Sequence, residues 1–397
     1  MILVVNAGSS SIKFKLYKST GQAEPTPFVE GLAERITVDG ALTLKIEGIK
    51  KEYNDKMPNH EAAVQAILNR FQENNVIKDV NDIKGVGFRI VHGGVKVVKP
   101  VVLDATMKKV VEDNIKLAPL HNPGALTAIN AFEKNMPNAK LVGCFDTSFH
   151  QTMPPKNYLY PIPYEWFEEY SARKYGFHGI SFDYITQKTA KIINKPVDKI
   201  NLIICHLGNG ASLCCVKAGK SFDTSMGLTP LAGIMMGTRT GDIDPSLHQY
   251  IAKQTGLDLE QITDILNKKS GLLGISGISS DMRDITAAVE QNNQKAALTL
   301  DMWSQRIADF IVKYANLLEG KVDAIILTAG VGENSRVANE SILDKVKILN
   351  IKYDDKAMAS GYDDYIKVSS SQSQYEIYKI RTDEELMICN ETLKFLK

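Results

Sequence analysis

The sequence is poor in the features that mark secreted, membrane-bound or metal-cluster proteins. Its five cysteines are odd in number and lack the spacing of a zinc site or of a C-x-x-C pair. We therefore expect reduced thiols in the core of a cytoplasmic protein. No apolar run approaches the roughly 20 residues needed to span a bilayer. The first residues have no basic region and no long apolar stretch, so we expect no signal peptide.

An excess of either charge is also absent. The chain carries 47 basic and 46 acidic residues, a formal net charge of +1. A balanced surface attracts neither nucleic acid nor an anionic membrane, so we expect neither as a partner. An anionic substrate would have to be bound in a local pocket. The 397 residues exceed what one hydrophobic core usually covers, which predicts two domains.

A strand–turn–strand pattern occurs twice in the chain. Apolar residues 2–5 lead into a small-residue turn at 6–11 and then into an alternating strand at 12–17. The same order returns with residues 202–216, where Gly208 takes the place of Gly8. A repeated unit predicts two halves of common topology. Helical segments between the strands indicate a mixed α/β fold, with the proline-rich stretch 154–163 as the expected connector.

Three small-residue turns follow strands, at residues 6–11, 206–211 and 330–334. Such turns let backbone N–H groups approach phosphate oxygens, because no Cβ blocks the way. None matches a P-loop or a G-x-G-x-x-G fingerprint. One such turn is as well explained by a hairpin, but three together indicate a nucleotide site.

The candidate cations are one lysine and two arginines. Arg89 and Arg239 are flanked by small or apolar residues, a setting typical of bidentate contact with a carboxylate or phosphate. A structural ion pair explains either arginine equally well. Lys13 follows the first turn and suits a phosphate, although a solvent-facing strand lysine is the simpler interpretation.

Two histidines and an aspartate are the candidates for the chemistry. His121 and His178 lie in loop-like segments, from which a ring can donate a hydrogen bond to a transferring phosphoryl group. Each could instead satisfy loop backbone. Asp146 ends an apolar strand, at the edge where α/β sites collect residues.

Acidic residues also open the last helix. Glu384 and Glu385 are favourable with the helix dipole there even without a function. Asn6 and Glu384 offer the oxygen ligands that Mg²⁺ prefers. The sequence alone does not bring them together.

With these residues assembled, the chain resembles the acetokinase family, the acetate and butyrate kinases of the actin/Hsp70/sugar-kinase superfamily. Ten ordered segments carry the resemblance: NAGSSSIKF, GFRIVHGG, APLHNPGAL, FDTSFH, YGFHGIS, HLGNGAS, DTSMGLTPLAGIMMGTRTGDIDP, GISSDMRD, TAGVGENS and TDEEL. The resemblance runs from Met1 to the last helix. Departures are slight: Ile180 and Phe182 stand where relatives often have threonine and histidine.

The resemblance implies a fold and an activity. The fold would be a duplicated ribonuclease-H-like (actin-like ATPase) α/β fold with the active site in a cleft between two domains. Residues 1–150, joined by helix 384–397, would form one domain and residues 151–383 the nucleotide-binding domain. The protein would be a homodimer that transfers the γ-phosphoryl group of ATP to acetate with Mg²⁺, for which Mn²⁺ would substitute.

The resemblance also implies roles for single residues. Asn6 and Glu384 would hold Mg²⁺, with little to favour Glu384 over Glu385, and Lys13 would approach ATP. The acid's carboxylate and the phosphoryl group would be bound by Arg89 and Arg239. The transition state would be stabilised by His178 and Arg239, with His121 beside them and Asp146 as the essential acidic residue. The acid's methyl group would contact Val91, Leu120, Phe177 and Pro230. The nucleotide would be lined by His206, Leu207, Gly208, Asn209, Gly210, Asp281, Met282, Arg283, Gly330, Val331, Gly332, Glu333 and Asn334.

The mechanism follows from the acceptor. A carboxylic acid is already ionised at neutral pH and needs no general base, so we expect direct in-line transfer that depends on positioning and charge stabilisation. Propionate or butyrate remains an alternative, because one methylene changes discrimination by only about 1–3 kcal/mol. A sugar or glycerol kinase with Asp146 as base is less consistent with paired arginines. A nucleotide-driven binding module would need no clamp for a second substrate.

Overall fold

The structure is a computed structural model that describes residues 1–19, 24–119 and 121–396. The chain divides into two compact units, one formed by Met1–Phe149 with Asp383–Lys397 and the other by His150–Thr382. The proline-rich stretch 154–163 therefore belongs to the second unit and does not connect the two. Among the described helices, none combines the length and apolar character needed to cross a membrane.

The strands and helices alternate along the chain, as expected for an α/β protein. The strands are β1 (Ile2–Ala7), β2 (Ser11–Lys18), β3 (Thr26–Glu34), β4 (Ala41–Ile46), β5 (Ile49–Tyr53), β6 (Gly85–Ile90), β7 (Val101–Val102), β8 (Lys140–Phe145), β9 (Leu202–Leu207), β10 (Ala211–Lys217), β11 (Lys220–Thr224), β12 (Ala324–Thr328), β13 (Tyr365–Lys367) and β14 (Glu376–Ile380). The helices are α1 (His60–Glu73), α2 (Ala105–Asp113), α3 (Asn122–Asn135), α4 (Pro155–Tyr158), α5 (Tyr164–Tyr170), α6 (Gly179–Ile192), α7 (Leu247–Thr255), α8 (Leu259–Lys268), α9 (Gly271–Ser276), α10 (Met282–Glu290), α11 (Gln294–Leu317), α12 (Ala329–Asn334), α13 (Arg336–Leu343), α14 (Asp355–Ala359) and α15 (Glu384–Lys394).

Each unit is built on one mixed sheet, and the two sheets share a core topology. The first has the order β5-β4-β3-β2-β1-β6-β8-β7 and the second β11-β10-β9-β12-β14-β13. In the first, β3, β2 and β1 are antiparallel neighbours and β1, β6 and β8 are parallel. The strands β11, β10, β9, β12 and β14 repeat that order and those directions. The predicted duplicated ribonuclease-H-like topology is confirmed.

Helices α1 and α3 cover one face of the first sheet. The side chain of Asn59 accepts a hydrogen bond from the Ala62 backbone and so begins α1, as the sequence predicts. Phe71 of α1 meets Phe14 of β2 edge to face, with ring centroids 5.7 Å apart. Such aromatic pairs stabilise a core beyond the area that they bury. This packing fixes the strands whose ends carry the candidate residues.

The last helix, α15, lies unusually close to β6. A Cβ atom added to Gly87 would fall 2.3 Å from Thr392 Oγ1 and 2.6 Å from Ile388 Cγ2. Only glycine leaves room for the helix at this distance from the strand. Because Glu384 is the first residue of α15, the close approach also sets where this carboxylate lies.

The second sheet is buried more completely than the first. All residues of β9 and β12 are buried, as expected for central strands with elements on both faces. Helix α11 packs Trp303, Ile307 and Tyr314 into this core. The helix begins at Gln294, because the Asn293 side chain caps it by accepting from the Ala296 N–H. All five cysteines are buried, as predicted.

We predict that Gly87→Val destabilises the first unit. The added side chain would overlap α15, and overpacking of this kind lowers the free energy of unfolding by about 1–3 kcal/mol. Gly361→Val is the matched control, because a Cβ there meets nothing within 4 Å, and it should change the free energy by less than about 0.5 kcal/mol. Urea unfolding of both variants measures the difference. Equal stability of the two variants would contradict the close packing.

Candidate active site

The first unit holds a buried ion pair at the carboxyl ends of two parallel strands. Arg89 of β6 is the register partner of Cys144 of β8. Asp146 comes two residues after Cys144, just past the end of β8. Arg89 Nε donates to Asp146 Oδ1 at 3.1 Å, and Nη2 donates to Oδ2 at 2.9 Å. The Asp146 side chain is only 4% exposed. This bidentate geometry fixes the plane of the guanidinium group.

A second carboxylate completes the network. Glu384 Oε2 lies 3.1 Å from Arg89 Nη1, so two carboxylates share one guanidinium. Burial alone would lower the pKa of Arg89, but the charges of Asp146 and Glu384 outweigh burial and raise it. Burial raises the pKa of Asp146, while the charge of Arg89 opposes that rise. Arg89 therefore stays charged, and its negative partners are already in place.

The two glutamates that open α15 have different partners. Glu384 faces Arg89, whereas Glu385 Oε1 accepts from Lys13 Nζ at 2.9 Å, with Lys15 Nζ at 3.7 Å from its other oxygen. Burial would raise the pKa of Glu385, but the two lysines reverse the shift and lower it. The structure thus distinguishes two residues that sequence reasoning could barely separate.

Asn6 and Lys13 lie opposite each other on β1 and β2, close to the turn that joins these strands. Asn6 is exposed near the end of β1 and is the register partner of Lys13 on β2. Both are positions from which a polar side chain can reach a bound anion or cation. Within residues 1–19, 24–119 and 121–396, no group of three or more His, Cys, Asp or Glu side chains is placed to hold a metal ion.

Two further predicted residues of the first unit flank this network. His121 is exposed, precedes α3 directly, and interacts electrostatically with Asp146, whose pKa its charge lowers against the larger effect of burial. Val91 follows β6 directly and is half-buried. The predicted pocket residue Leu120 lies outside the described residues.

In the second unit, two predicted histidines stack on each other. The rings of His178 and His206 are 4.3 Å apart with an interplanar angle of 21°. His178 Nδ1 lies 2.9 Å from the hydroxyl oxygen of Ser212, which is the register partner of His206 on the neighbouring strand. The sheet register therefore brings all three side chains together, and the hydroxyl orients the His178 ring.

A pair of hydroxyl groups supports His206 from the other side. Ser181 Oγ lies 2.9 Å from His206 Nδ1 and 2.7 Å from Thr382 Oγ1. Ser181 and Thr382 were missed by sequence reasoning, as was Ser212. Each lies inside a segment that the resemblance singles out, but a serine or threonine in a motif gives no sign of its partner. Their positions follow only from the tertiary fold.

Arg239 differs from Arg89 in its surroundings. Its Nη1 donates to the Pro230 carbonyl at 3.2 Å, and the guanidinium lies against Gly210 of the β9–β10 turn, 3.3 Å from where a Cβ would be. Among the described residues, no carboxylate lies within ion-pairing distance of it. Burial lowers its pKa. A half-buried cation without a counter-charge in this part of the chain is suited to receive an anion.

A cleft of about 720 Å³ opens beside these residues in the second unit. That volume lies in the range of small-molecule sites. Of the residues predicted to line a nucleotide, the cleft is lined by Gly208, Asn209, Asp281, Met282, Arg283, Gly330, Val331 and Asn334. Sequence reasoning missed the other lining residues: Leu272, Ser280, Thr286, Ala287, Glu290, Trp303, Ser335, Arg336 and Val337.

The remaining predicted nucleotide residues lie outside the lining of the cleft. His206 and Leu207 lie within β9, and Gly210 follows it. Gly332 is buried in α12, where a Cβ would lie 3.1 Å from the Leu327 backbone. None of these contacts tests a nucleotide role, so these assignments remain predictions.

Glu333 turns its side chain onto the backbone of its own turn. Its Oε1 accepts from the Ala329 N–H at 2.9 Å and from the Thr382 N–H at 3.0 Å. Arg381 Nη1 lies 3.5 Å from the other carboxylate oxygen. The glutamate therefore fixes the turn after β12 to the segment after β14. Gly330, Val331 and Asn334 of the same turn line the cleft.

The predicted pocket residues Phe177 and Pro230 both lie in the second unit. Phe177 is buried and precedes His178, and the Pro230 carbonyl holds Arg239. The acid-binding role of these residues, and that of Val91 in the first unit, stays a prediction.

Comparison of the whole chain with known proteins identifies its family. Residues 1–390 match the model of the acetokinase family. The chain is 53% identical to the acetate kinase of Mesoplasma florum, with 100% of both chains covered, and 45% identical to that of Bacillus subtilis, with 100% and 99% covered.

Solved structures give the same result. The Porphyromonas gingivalis acetate kinase superposes with a TM-score of 0.94 at 38% identity over 100% and 99% of the two chains. A propionate kinase from Francisella tularensis superposes with a TM-score of 0.91, also at 38% identity, over 99% of each chain. On the strength of a family match that spans nearly the whole sequence and of these full-length relatives, the chain belongs to the acetokinase family.

Proposed function

We propose that this protein is an acetate kinase, which transfers the γ-phosphoryl group of ATP to acetate and forms acetyl phosphate and ADP, and which also runs in reverse. Membership of the acetokinase family and the names of full-length relatives support this activity. The observation in the structure that carries it is Arg239. This half-buried cation lies against the turn that leads into the 720 Å³ cleft and has no carboxylate partner among the described residues.

The acceptor determines what the protein must supply. Acetate is ionised at neutral pH, so the enzyme needs no general base but must bring together two anions that repel each other. Loose phosphoryl-transfer transition states spread negative charge over the equatorial oxygens. Positive groups and hydrogen-bond donors at fixed positions therefore supply most of the catalysis.

Arg89 is the residue that we assign to the acetate carboxylate. Asp146 accepts from two of the guanidinium nitrogens, Nε and Nη2, and Glu384 contacts the third, Nη1. In the proposed reaction, that third nitrogen exchanges Glu384 for acetate, while the Asp146 pair keeps the guanidinium plane fixed. Asp146 thus orients an arginine and does not remove a proton, because the bidentate pair already occupies both of its oxygens.

Arg239 and His178 are assigned to the phosphoryl group. Ser212 engages Nδ1 of His178, so we place Nε2 as the atom that donates to a phosphoryl oxygen in the transition state. Arg239 neutralises charge on the same group. His121, beside Asp146, is assigned a supporting electrostatic role.

A magnesium ion is part of the proposal. Asn6 and Glu384 offer an amide and a carboxylate oxygen, and Mg²⁺ usually takes one or two protein oxygens with phosphate and water as its other ligands. The absence of a three-ligand cluster in the described residues fits this partial site. When bound, the ion would neutralise charge on the nucleotide phosphates. The homodimer and the cytoplasmic location remain predictions from the sequence.

The first test is an assay for the acyl phosphate. ATP, Mg²⁺ and acetate are incubated with the protein, and hydroxylamine traps the product as a hydroxamate. Propionate, butyrate and glycerol are run in parallel. We expect strong hydroxamate formation with acetate and weaker formation with the larger acids. Each added methylene is expected to raise the activation free energy by about 1–3 kcal/mol relative to acetate.

Each other outcome of this assay overturns part of the proposal. Equal kcat/KM for propionate, as the name of the Francisella tularensis relative suggests for that protein, would exclude acetate specificity. Phosphorylation of glycerol without hydroxamate would exclude a carboxylate kinase. ATP hydrolysis without any acceptor would leave only the nucleotide site.

We predict that Arg239→Ala lowers kcat by about 10²–10³-fold, because a fixed donor to the transition-state charge is lost. Arg35→Ala is the control, since Arg35 is an exposed arginine paired with Asp39 in the first unit, and its kcat should stay within about 2-fold of the original, as exposed ion pairs contribute little. Steady-state kinetics with saturating ATP and acetate measure both. Full activity of Arg239→Ala would remove this residue from the mechanism.

The two neighbouring glutamates allow a matched test of the metal site. We predict that Glu384→Gln raises the Mg²⁺ concentration for half-maximal rate by about 10-fold or more, because a charged oxygen ligand becomes neutral. Glu385→Gln removes the charge that pairs with Lys13 and Lys15 and should change that concentration by less than about 3-fold, as expected for a partly exposed ion pair. Magnesium titrations of initial rates decide between them, and a larger effect of Glu385→Gln would reverse the assignment.

A further inference from the structure

His150 is a completely buried histidine that the mechanism above does not use. Its side chain is inaccessible to solvent, and both ring nitrogens have partners. Nδ1 lies 2.7 Å from Ser221 Oγ, and Nε2 lies 2.9 Å from the carbonyl oxygen of Phe177. Because a carbonyl only accepts hydrogen bonds, Nε2 carries the proton, and Nδ1 accepts from the serine hydroxyl. Burial lowers the pKa of His150 to about 4, so this neutral form persists at pH 7.

The carbonyl that His150 holds belongs to a strained loop. Gly176 has φ +74° and His178 has φ +57°, so left-handed residues lie on both sides of Phe177. A histidine adopts this conformation only where its surroundings enforce it. The Phe177 carbonyl and the His178 nitrogen share one peptide plane, and φ of His178 is the rotation between that plane and its own Cα substituents. A hydrogen bond to this carbonyl therefore controls where the His178 side chain points.

The rest of the loop is clamped in the same region. The N–H groups of Tyr175 and Gly176 donate to the Gly227 carbonyl at 3.0 and 3.2 Å. A Cβ added to Gly176 would fall 2.8 Å from the His150 ring, so the loop backbone packs directly on the imidazole. The ring also meets Phe182 edge to face at 5.6 Å. His150 thus contacts the loop through packing and through one directed hydrogen bond.

We propose that His150 is a positioning residue: its Nε2–H holds the Phe177 carbonyl and so fixes the direction of the His178 imidazole. This inference rests on the proposed function, in which His178 stabilises the transferring phosphoryl group. Packing alone would be satisfied by phenylalanine, which has a ring of similar size. The directed hydrogen bond is what phenylalanine lacks and what glutamine, whose amide nitrogen reaches a similar position, retains.

The test compares three variants by steady-state hydroxamate kinetics. His150→Phe should lower kcat by about 30–100-fold, since misplacement of a catalytic group by about 1 Å costs about 10²-fold. Its KM for ATP should stay within about 2-fold, because the cleft residues are untouched. His150→Gln should recover kcat to within about 5-fold of the original protein, because it keeps the directed hydrogen bond. His248→Phe, at a partly exposed histidine of α7, is the control and should leave both constants unchanged.

The outcomes separate positioning from packing. A His150→Phe variant that is folded by circular dichroism and keeps its kcat would overturn the proposal. So would a His150→Gln variant as impaired as His150→Phe, because the hydrogen bond would then be irrelevant.

A second measurement does not depend on activity. Long-range ¹H–¹⁵N spectra should show His150 as the Nε2–H tautomer without titration between about pH 5.5 and 8, in line with its low pKa. In His150→Phe, the His178 ring signals should shift, and in His248→Phe they should not. If the original protein made no hydroxamate, the proposed function would fail, yet these spectra would still decide whether His150 controls His178. Unshifted His178 signals in His150→Phe would reject the inference.

Discussion

The buried pair between Arg89 and Asp146 is the interaction on which the first unit's site depends. Two parallel strands end side by side, and the bidentate contact joins their ends. Removal of Arg89 is expected to cost about 3–5 kcal/mol, because the charge of Asp146 would stay buried and uncompensated. The pair is therefore a poor means of gaining stability but an effective means of fixing a guanidinium plane. That rigidity is what an enzyme needs when it aligns a small planar carboxylate.

The two units share one topology but treat charge in opposite ways. In the first, Arg89 is neutralised by Asp146 and Glu384. In the second, Arg239 has only the Pro230 carbonyl and the Met236 sulfur as described hydrogen-bond partners. A substrate that is small and singly charged can be aligned by a pre-neutralised arginine. In the transition state, negative charge spreads over the oxygens of the phosphoryl group. An arginine without a counter-charge stabilises that negative charge more strongly.

The duplicated turns have also diverged. The first turn packs against α1 and α3 at Gly8, where His60 Nε2 lies 2.9 Å from the Gly8 carbonyl and a Cβ on Gly124 would fall 2.7 Å from the Gly8 backbone. Three of its other residues are exposed: Asn6, Ser9 and Ser10. The second turn instead lines the cleft through Gly208 and Asn209. Sequence reasoning treated both turns as phosphate-binding, because small residues after a strand look alike. The two turns differ in the elements that pack around them, and the residues of the turn do not report that packing.

Sequence reasoning reached the fold for identifiable physical reasons. Asn59 and Asp104 are residue types that favour helix starts, a local signal, and both side chains cap a helix. The repeated strand–turn–strand is a local pattern too, and it correctly predicted the shared topology. The contacts of Ser212 with His178 and of Ser181 with His206 could not be predicted in this way. They depend on strand register and on contacts between residues far apart in sequence, which periodicity does not report. Trp303 looked like a core residue, and it is one, yet it also lines the cleft.

In the second unit, one set of short contacts joins the turn after β12 to His178, which is proposed to stabilise the phosphoryl group. Glu333 ties the turn after β12 to the Thr382 backbone, and the Thr382 hydroxyl contacts Ser181, which holds His206. His206 in turn stacks on His178.

These contacts are all buried or half-buried, so their strength is little weakened by water. A nucleotide bound in the cleft would thus rest on the same rigid framework that orients His178. Binding energy from the remote parts of ATP can then be used to place the γ-phosphoryl group against fixed donors. A reaction between two anions can therefore be catalysed by several ordinary side chains. Each of these side chains is held in position by its contacts with the others.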